Sequence, residues 1–278
     1  MALKTFVNTK NPALDQTFRY KGADLSFCDA GSGEALLFIH EWNGSSQVFV
    51  RANLPILQKS FRVITFDLPG FGASEAIAGF ECTDIRLLIS ELMDFLGIER
   101  FHLMGFCLGA SMSLDYFLYH PQRVKSLILL DVTLSVPFSL RFLSLPVLGR
   151  LFYHIFSRTK IGLSVFLRFV NNQLLIGDDE LFDAFQNTTY INAQLYVRSI
   201  RRHLDDFTSS LARQNQHPPC LIITSNNTLK IFYRDSLKLH KLLPASELIV
   251  MQNCGHYIQL EKPKTLSLHV EKFIQKHV

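Results

Sequence analysis

The sequence has little of what marks a secreted, membrane-spanning or metal-binding protein. Its first ten residues contain no apolar core of signal-peptide length, and no run of about 18 apolar residues follows. It has no Cys-x-x-Cys or His-x-x-x-His pair with metal-ligand spacing. The net charge is only +4 and the basic residues are scattered, a pattern that does not fit nucleic-acid binding. We therefore expect a cytoplasmic protein that needs no cofactor or metal and binds no nucleic acid.

Cysteine is also sparse and unpaired in its spacing. The five cysteines form an odd set without the regular intervals of a disulfide framework, so we expect reduced thiols. The length of 278 residues suits one large α/β domain with an insertion, or two small domains.

Short apolar runs recur along the first half of the chain and again near its end. They are residues 35–39, 63–66, 101–104, 127–130, 221–223 and 248–251. Runs that are apolar on both faces are typical of strands buried in a parallel sheet. The intervening segments 85–96, 111–119 and 266–274 have the apolar spacing of helices, and 17–20 with 24–29 predicts an antiparallel edge hairpin. The alternation predicts an α/β fold with a mostly parallel central sheet and helices on both faces.

The regular alternation stops at Asp131 and does not resume until Leu221. We predict a core domain formed by residues 1–133 and 215–278, with a helical cap, residues 134–214, inserted over the carboxyl edge of the sheet. Its first half is dense in phenylalanine, leucine and arginine. Such a face packs on the sheet as core. Alternatively, it lines an acyl tunnel whose basic rim meets a phosphopantetheine or coenzyme A phosphate, or an anionic membrane surface.

The most informative motif is Gly-Phe-Cys-Leu-Gly at 105–109, which follows an apolar run and opens a helix of small residues. This predicts strand, tight turn and helix with a thiol at the tip of the turn, a geometry that exposes a nucleophile above the sheet.

With this elbow and four further motifs, the chain resembles the α/β-hydrolase family, with cysteine in place of the usual nucleophilic serine. In chain order the motifs are the histidine-led loop 40–46, the Asp-x-x-Gly-x-Gly-x-Ser segment 67–74, the elbow 105–109, the His-Pro-x-Arg-Val segment 120–124 and the Gly-His pair within 254–256. Five motifs in the family's order favour its fold, whereas a fold alone does not fix an activity.

The resemblance implies a catalytic role for two residues. Cys107 takes the place of the nucleophile and His256 that of the general base. A thiol is far more acidic than a serine hydroxyl, so we expect the imidazole to hold Cys107 as a thiolate.

The third member of the triad is where the chain departs from the family. The family's usual Gly-x-x-Asp is replaced by Ser-Asn-Asn-Thr at 225–228, which has no carboxylate. We favour Asp131, because some members, haloalkane dehalogenases among them, place their acid at the end of that strand. Asn226 or Asn227 would instead give a Cys-His-Asn set. The remaining alternative is that no third member exists.

The resemblance also implies an oxyanion hole formed by the backbone N–H groups of Trp42 and Leu108. His40, Glu41 and Phe106 flank these donors and are our candidates for substrate contact. We expect His40 mainly to order its loop through hydrogen bonds to the backbone. Glu41 replaces the family's glycine, and we expect it to turn outward; the alternative is a polar substrate contact or a gate.

These features predict a hydrolase or acyltransferase that acts on an ester or thioester of a hydrophobic acyl group, carrier- or CoA-linked substrates included, through a Cys-His acyl-enzyme. The alternative is a non-catalytic binding protein that kept the fold and lost the usual triad acid. The sequence leaves contact with a membrane open.

Overall fold

Eight strands form one sheet in the computed structural model, which describes residues 16–134, 147–171 and 217–277 and the single residues 145, 194, 196, 210, 211 and 214. The strands are β1 (Gln16–Tyr20), β2 (Ala23–Ala30), β3 (Glu34–Ile39), β4 (Phe61–Phe66), β5 (Phe101–Phe106), β6 (Val124–Leu130), β7 (Cys220–Ser225) and β8 (Glu247–Met251). Their order in the sheet is β1-β2-β4-β3-β5-β6-β7-β8. β2 pairs antiparallel with β1 and β4, and every other neighbouring pair is parallel. The predicted mostly parallel sheet and edge hairpin are confirmed.

Helices cover both faces of this sheet. Within the described ranges they are α1 (Ser46–Ala52), α2 (Leu54–Leu57), α3 (Ile85–Phe95), α4 (Leu108–Tyr119), α5 (Leu148–Arg158), α6 (Lys160–Asn171), α7 (Lys230–Leu242), α8 (Ile258–Glu261) and α9 (Pro263–Lys276). Successive strand residues point to opposite faces. Leu37 of β3 therefore packs in a cluster with α3, α4 and α7, whereas its neighbour Phe38 packs in a second cluster with α1, α2 and α9.

The predicted apolar runs all lie inside observed strands, which extend beyond them by one to three residues. Helix α7 was not predicted, since only a few of its side chains are buried in a mostly polar segment. The expectation of reduced thiols is confirmed for four cysteines, which are unpaired: Cys28, Cys107, Cys220 and Cys254.

Two described helices, α5 and α6, lie within the predicted cap. Thr159 separates them, and its hydroxyl accepts a hydrogen bond from the N–H of Gly162 at 2.9 Å. Helix α5 is joined to the core by the hydroxyl of Tyr153, which donates to Oδ1 of Asn43 at 3.0 Å. Most of residues 134–214 lies outside the described residues, so the boundaries of the cap stay a prediction. Among the helices that the structure describes, none has the length and apolar content that crossing a bilayer requires.

Candidate active site

Cys107 lies alone between the end of β5 and the start of α4, at the carboxyl edge of the sheet. Its backbone has φ 52° and ψ −109°, in the left-handed region that non-glycine residues rarely adopt. The N–H of Cys107 donates to the carbonyl of Leu130 at 2.8 Å, which ties the strained turn to the end of β6. The strand, tight turn and helix predicted for this motif are present.

The glycines of the motif are required by close backbone packing. A Cβ added to Gly105 would lie 2.3 Å from the carbonyl oxygen of Gly109, and one added to Gly109 would lie 2.1 Å from that of Ile39. Both distances are below any real Cβ contact. The two glycines thus allow the first turn of α4 to press against β5 and β3, which fixes the position of Cys107.

His256 and Asp131 form a buried pair at the same edge of the sheet. Nδ1 of His256 lies 2.8 Å from Oδ2 of Asp131, and the two side chains are 4% and 0% exposed. The other oxygen of Asp131 accepts a hydrogen bond from the hydroxyl of Thr224 at 2.6 Å. Both carboxyl oxygens therefore have partners, as a buried carboxyl requires.

Aromatic rings fix the plane of the His256 ring. Phe232 of α7 stacks on it with centroids 4.3 Å apart and planes 12° from parallel. Phe106, the residue before Cys107, lies against it at 4.7 Å. Phe106 is fully buried in this position, so its side chain supports the histidine and has no exposed surface to offer a ligand.

Both asparagines of the alternative triad make hydrogen bonds to groups other than the histidine ring. Asn226 is exposed and donates from Nδ2 to the Gln252 side chain at 3.1 Å. For Asn227 the structure shows a backbone N–H that donates to the carbonyl of Cys254 at 3.1 Å. Of the candidates for the third member, Asp131 at the end of β6 is the one whose side chain meets Nδ1 of His256, so Asp131 stays our prediction for this role.

Thr228 is a further site residue that the sequence analysis missed. Its hydroxyl lies 3.3 Å from Nδ1 of His256, and it is buried. Thr228 occupies the last position of the Ser-Asn-Asn-Thr stretch, where the family motif has its aspartate. This position has no carboxylate, and for that reason it was not predicted to contact the histidine. Its hydroxyl nevertheless lies near Nδ1 of His256.

The loop after β3 is held in place by His40 and Asp67. Nε2 of His40 accepts a hydrogen bond from the N–H of Leu68 at 2.9 Å, so Nδ1 carries the proton and donates to the carbonyl of Glu41 at 2.7 Å. The expectation that His40 bonds to backbone is confirmed. Asp67 accepts from the N–H and the hydroxyl of Ser46, both at 2.7 Å. These contacts link the motif 67–74 to the loop that contains Trp42.

Glu41 does not turn outward, and that expectation was wrong. It is 3% exposed, and its Oε1 has no hydrogen-bond partner among the described residues. The carboxyl curls over Gly44, where an added Cβ would meet Oε1 at 2.3 Å. Burial raises the pKa of Glu41 to about 8, and the nearby carboxyl of Asp67 adds to the rise. Glu41 is therefore largely protonated at neutral pH.

The electrostatic surroundings of Cys107 favour the thiol over the thiolate. Burial raises the pKa of Cys107 above its ordinary value, and the carboxyls of Glu41 and Asp131 raise it further. The N–H of Leu108 acts in the opposite direction, since it donates toward the sulfur. The thiolate held by the imidazole therefore stays a prediction, and burial and these carboxyls oppose it.

Of the two predicted oxyanion donors, one directly follows Cys107 in the chain, and the other is in the loop after β3, the strand beside β5. Leu108 is the first residue of α4, where backbone N–H groups have no partner within the helix. Trp42 is half-buried in the loop after β3, the neighbour of β5 in the sheet.

In the described part of the chain, no group of three or more His, Cys, Asp or Glu side chains is arranged to hold a metal ion.

Comparison with known proteins agrees with this architecture. The model of the alpha/beta hydrolase fold family matches residues 34–263, and the chain belongs to this family. The chain is 28% identical over 273 residues to a 2-hydroxy-6-oxononadienedioate/2-hydroxy-6-oxononatrienedioate hydrolase of Pseudomonas putida, with 90% of this chain and 91% of the relative covered.

Two solved structures show the same fold at lower sequence identity. Cfl2 from Burkholderia cenocepacia superposes with a TM-score of 0.79 at 21% identity, over 93% of this chain and 94% of its own. A thermophilic esterase from Thermogutta terrifontis superposes with a TM-score of 0.77 at 19% identity, over 94% and 97% of the two chains.

Proposed function

We propose that the protein hydrolyses an ester or thioester of a hydrophobic acyl group, or transfers that acyl group, through an acyl-enzyme on Cys107. The observation that supports this most directly is the arrangement at one sheet edge: a cysteine on a strained elbow, and at the same edge a histidine whose Nδ1 contacts a buried aspartate. Nucleophile, base and orienting acid in this order are the parts that acyl transfer requires.

The proposed reaction starts from a neutral thiol. As the sulfur of Cys107 attacks the acyl carbon, Nε2 of His256 takes the thiol proton, and Asp131 stabilises the imidazolium through Nδ1–H. The tetrahedral intermediate then expels the alcohol or thiol, which receives the proton from His256. Water, deprotonated by the same nitrogen, or a second alcohol or amine releases the acyl group from sulfur.

The negative oxygen of the intermediate is stabilised in this proposal by the N–H groups of Leu108 and Trp42. Loss of one such donor typically costs about 2.7–4 kcal/mol of barrier. The first N–H is supported by its position at the start of α4 and its effect on the sulfur. The second is supported by the hydrogen bonds of His40 and Asp67 that order its loop.

The charges around Cys107 favour a neutral acyl group over a dianionic substrate. The Pseudomonas putida relative is named for a dioate, which has two carboxylates. In this chain the ionisable side chains that act on Cys107 are Glu41, which is largely neutral at pH 7, and Asp131, which is acidic. A substrate carboxylate placed beside Cys107 would therefore meet the negative charge of Asp131 and no positive charge from these two groups. Such a dioate therefore serves as the comparison substrate in the test below, where it reports hydrolysis of a carbon–carbon bond.

The proposal is tested by trapping the acyl-enzyme. Incubation with a short-chain p-nitrophenyl ester and with an acyl thioester should add one acyl mass to the intact protein, mapped to Cys107 after digestion. Cys107→Ala should give no adduct and lower turnover at least about 10⁴-fold, because the nucleophile is lost. Cys28→Ala, a change at a buried thiol in β2, is the matched control and should retain both adduct and turnover.

Other outcomes would overturn the proposal. An adduct that maps elsewhere, or turnover that survives Cys107→Ala, would remove Cys107 from the mechanism. Turnover of the dioate with no reaction on either acyl substrate would favour carbon–carbon hydrolysis. Saturable binding of these compounds without turnover or adduct would favour the non-catalytic binding protein.

A further inference from the structure

The two described cap helices leave an unusual number of apolar side chains in solvent. Six of them, within residues 147–165, are between 46% and 81% exposed: Val147, Leu148, Leu151, Ile155, Ile161 and Val165. Leu148, Leu151 and Ile155 follow the three- and four-residue spacing that places them on one side of α5. Ile161 and Val165 are four residues apart on α6. In the described core the exposed large apolar residues are fewer and are spread over α3, α4 and α9: Leu87, Phe95, Tyr119 and Leu268.

The segment that contains these two helices carries positive side chains and no acidic ones. Between Asp131 and Asp178 the sequence has no aspartate or glutamate, whereas it has five cations: Arg141, Arg150, Arg158, Lys160 and Arg168. Arg150 and Arg168 are exposed on α5 and α6, the two helices that carry the exposed apolar positions. Elsewhere the chain mixes acidic and basic residues, so this acid-free stretch is a local feature and not a consequence of composition.

From this combination we propose that the exposed face of α5 and α6 binds an anionic lipid surface. Amphipathic helices with an apolar side and arginine or lysine on the polar side lie in the headgroup region of a bilayer without crossing it. The apolar side chains enter the acyl boundary, and the cations are attracted to anionic headgroups. The inference concerns the cap surface alone and does not depend on whether Cys107 is catalytic.

A second copy of the chain fits this face less well. In a twofold dimer the same patch would lie on both partners, so the cations of one copy would meet those of the other, with no acidic residue in the segment to pair with them. A lipid surface supplies both the apolar layer and the opposite charge.

The test is co-sedimentation of the full-length protein with vesicles of phosphatidylcholine alone and of phosphatidylcholine with 30% phosphatidylglycerol. We expect binding to the anionic vesicles, with weak binding to the neutral ones and a loss of binding at high salt. Arg150→Gln/Arg168→Gln should lower the partition coefficient about 25-fold, at about fivefold for each cation near the surface. Leu151→Glu/Ile155→Glu should abolish binding.

Matched controls change exposed residues of the core. Leu87→Glu/Leu268→Glu and Lys59→Gln/Lys264→Gln alter the same types of exposed side chain and should bind like the unaltered protein. Circular dichroism and thermal melting verify that every variant folds, and the arginine variant keeps the test informative if the glutamate variant does not. Equal binding to both vesicle types, no binding to either, or loss in the core controls would overturn the proposal. So would sedimentation-velocity evidence for a dimer that Leu151→Glu/Ile155→Glu disrupts, without vesicle binding.

Discussion

Two buried carboxyls flank Cys107, and they differ in how their oxygens are satisfied. Asp131, at the end of β6, is fully buried and has a partner for each oxygen, the hydroxyl of Thr224 and Nδ1 of His256. Glu41, in the loop after β3, is nearly as buried but has no partner for Oε1 among the described residues. The pKa of Glu41 is accordingly raised by burial to about 8.

The comparison shows that burial alone does not give a carboxyl a role in catalysis. A buried carboxyl whose oxygens both accept hydrogen bonds can orient a histidine and stabilise its charge. A buried carboxyl without such partners responds to burial by keeping its proton. We therefore propose that Asp131 orients His256. Ionised Glu41 would instead repel negative charge at Cys107.

The largest expected effect in this comparison comes from Asp131→Asn. An amide in this place allows the wrong tautomer of His256 and offers less stabilisation to the imidazolium, so kcat/KM should fall about 10²–10³-fold. The measurement is steady-state hydrolysis of the p-nitrophenyl ester. The acyl adduct at Cys107 should still form, only more slowly, because the nucleophile is intact.

The outcome that would contradict this assignment is unchanged kcat/KM in a folded Asp131→Asn protein. Asn226→Ala is the matched control, since this exposed side chain bonds to Gln252 and not to the histidine. Its kcat/KM should stay within about twofold of the unaltered value, as is usual for a surface change.

A smaller effect, an increase in kcat/KM, is expected when the carboxyl is moved from the end of β6 to position 228, after β7. In Asp131→Asn/Thr228→Asp, a carboxyl replaces the hydroxyl that lies 3.3 Å from Nδ1 of His256. It should recover about tenfold of the lost kcat/KM, because the ring nitrogen again has a carboxyl partner. The control is Asp131→Asn/Asn227→Asp, which adds the same charge one residue away and should recover nothing. Equal recovery by both variants would point to a general charge effect instead.

Much of this arrangement could be predicted from the sequence, because it depends on local patterns. Apolar runs gave the strands of the sheet, and the glycines of 105–109 gave the elbow, since both follow from backbone geometry and periodicity. Asp131 could be named because it ends a recognisable strand. Its contact with His256 was one of several alternatives, because a distance across 125 residues is set by strand order and not by any local pattern.

The features that were missed depend on side-chain direction and on solvation. The inward direction of the Glu41 side chain, which brings its carboxyl over Gly44, is not revealed by the residue type. The raised pKa of Cys107 follows from burial and from two carboxyls on other elements. The role of Thr228 was not predicted because its hydroxyl replaces the carboxyl of the family motif. The hydroxyl nevertheless lies near Nδ1 of His256.

An effect of similar size is expected from Glu41, and it appears as a pH dependence of kcat/KM. Below pH 8 this carboxyl is mostly neutral, and above it the carboxyl ionises beside Cys107. The new charge raises the pKa of the thiol further and repels the developing oxyanion, so kcat/KM should fall about tenfold between pH 7 and pH 9. In Glu41→Gln, which keeps the shape without the charge, this alkaline decline should be absent. The pH profiles of the two proteins, recorded with one substrate, measure the difference.

Unfolding by urea supplies an independent check on the same group. The folded chain keeps the Glu41 proton up to about pH 8, whereas the unfolded chain releases it near the ordinary value of 4.5. The folded state therefore binds more protons in this window, and the free energy of unfolding should fall as the pH rises from 4.5 toward 8. At the upper end Glu41→Gln should be more stable than the unaltered protein, by on the order of 4 kcal/mol at most. If both proteins show the same alkaline decline and the same stability profile, Glu41 does not titrate in this range, and its contrast with Asp131 would have to rest on hydrogen bonding alone.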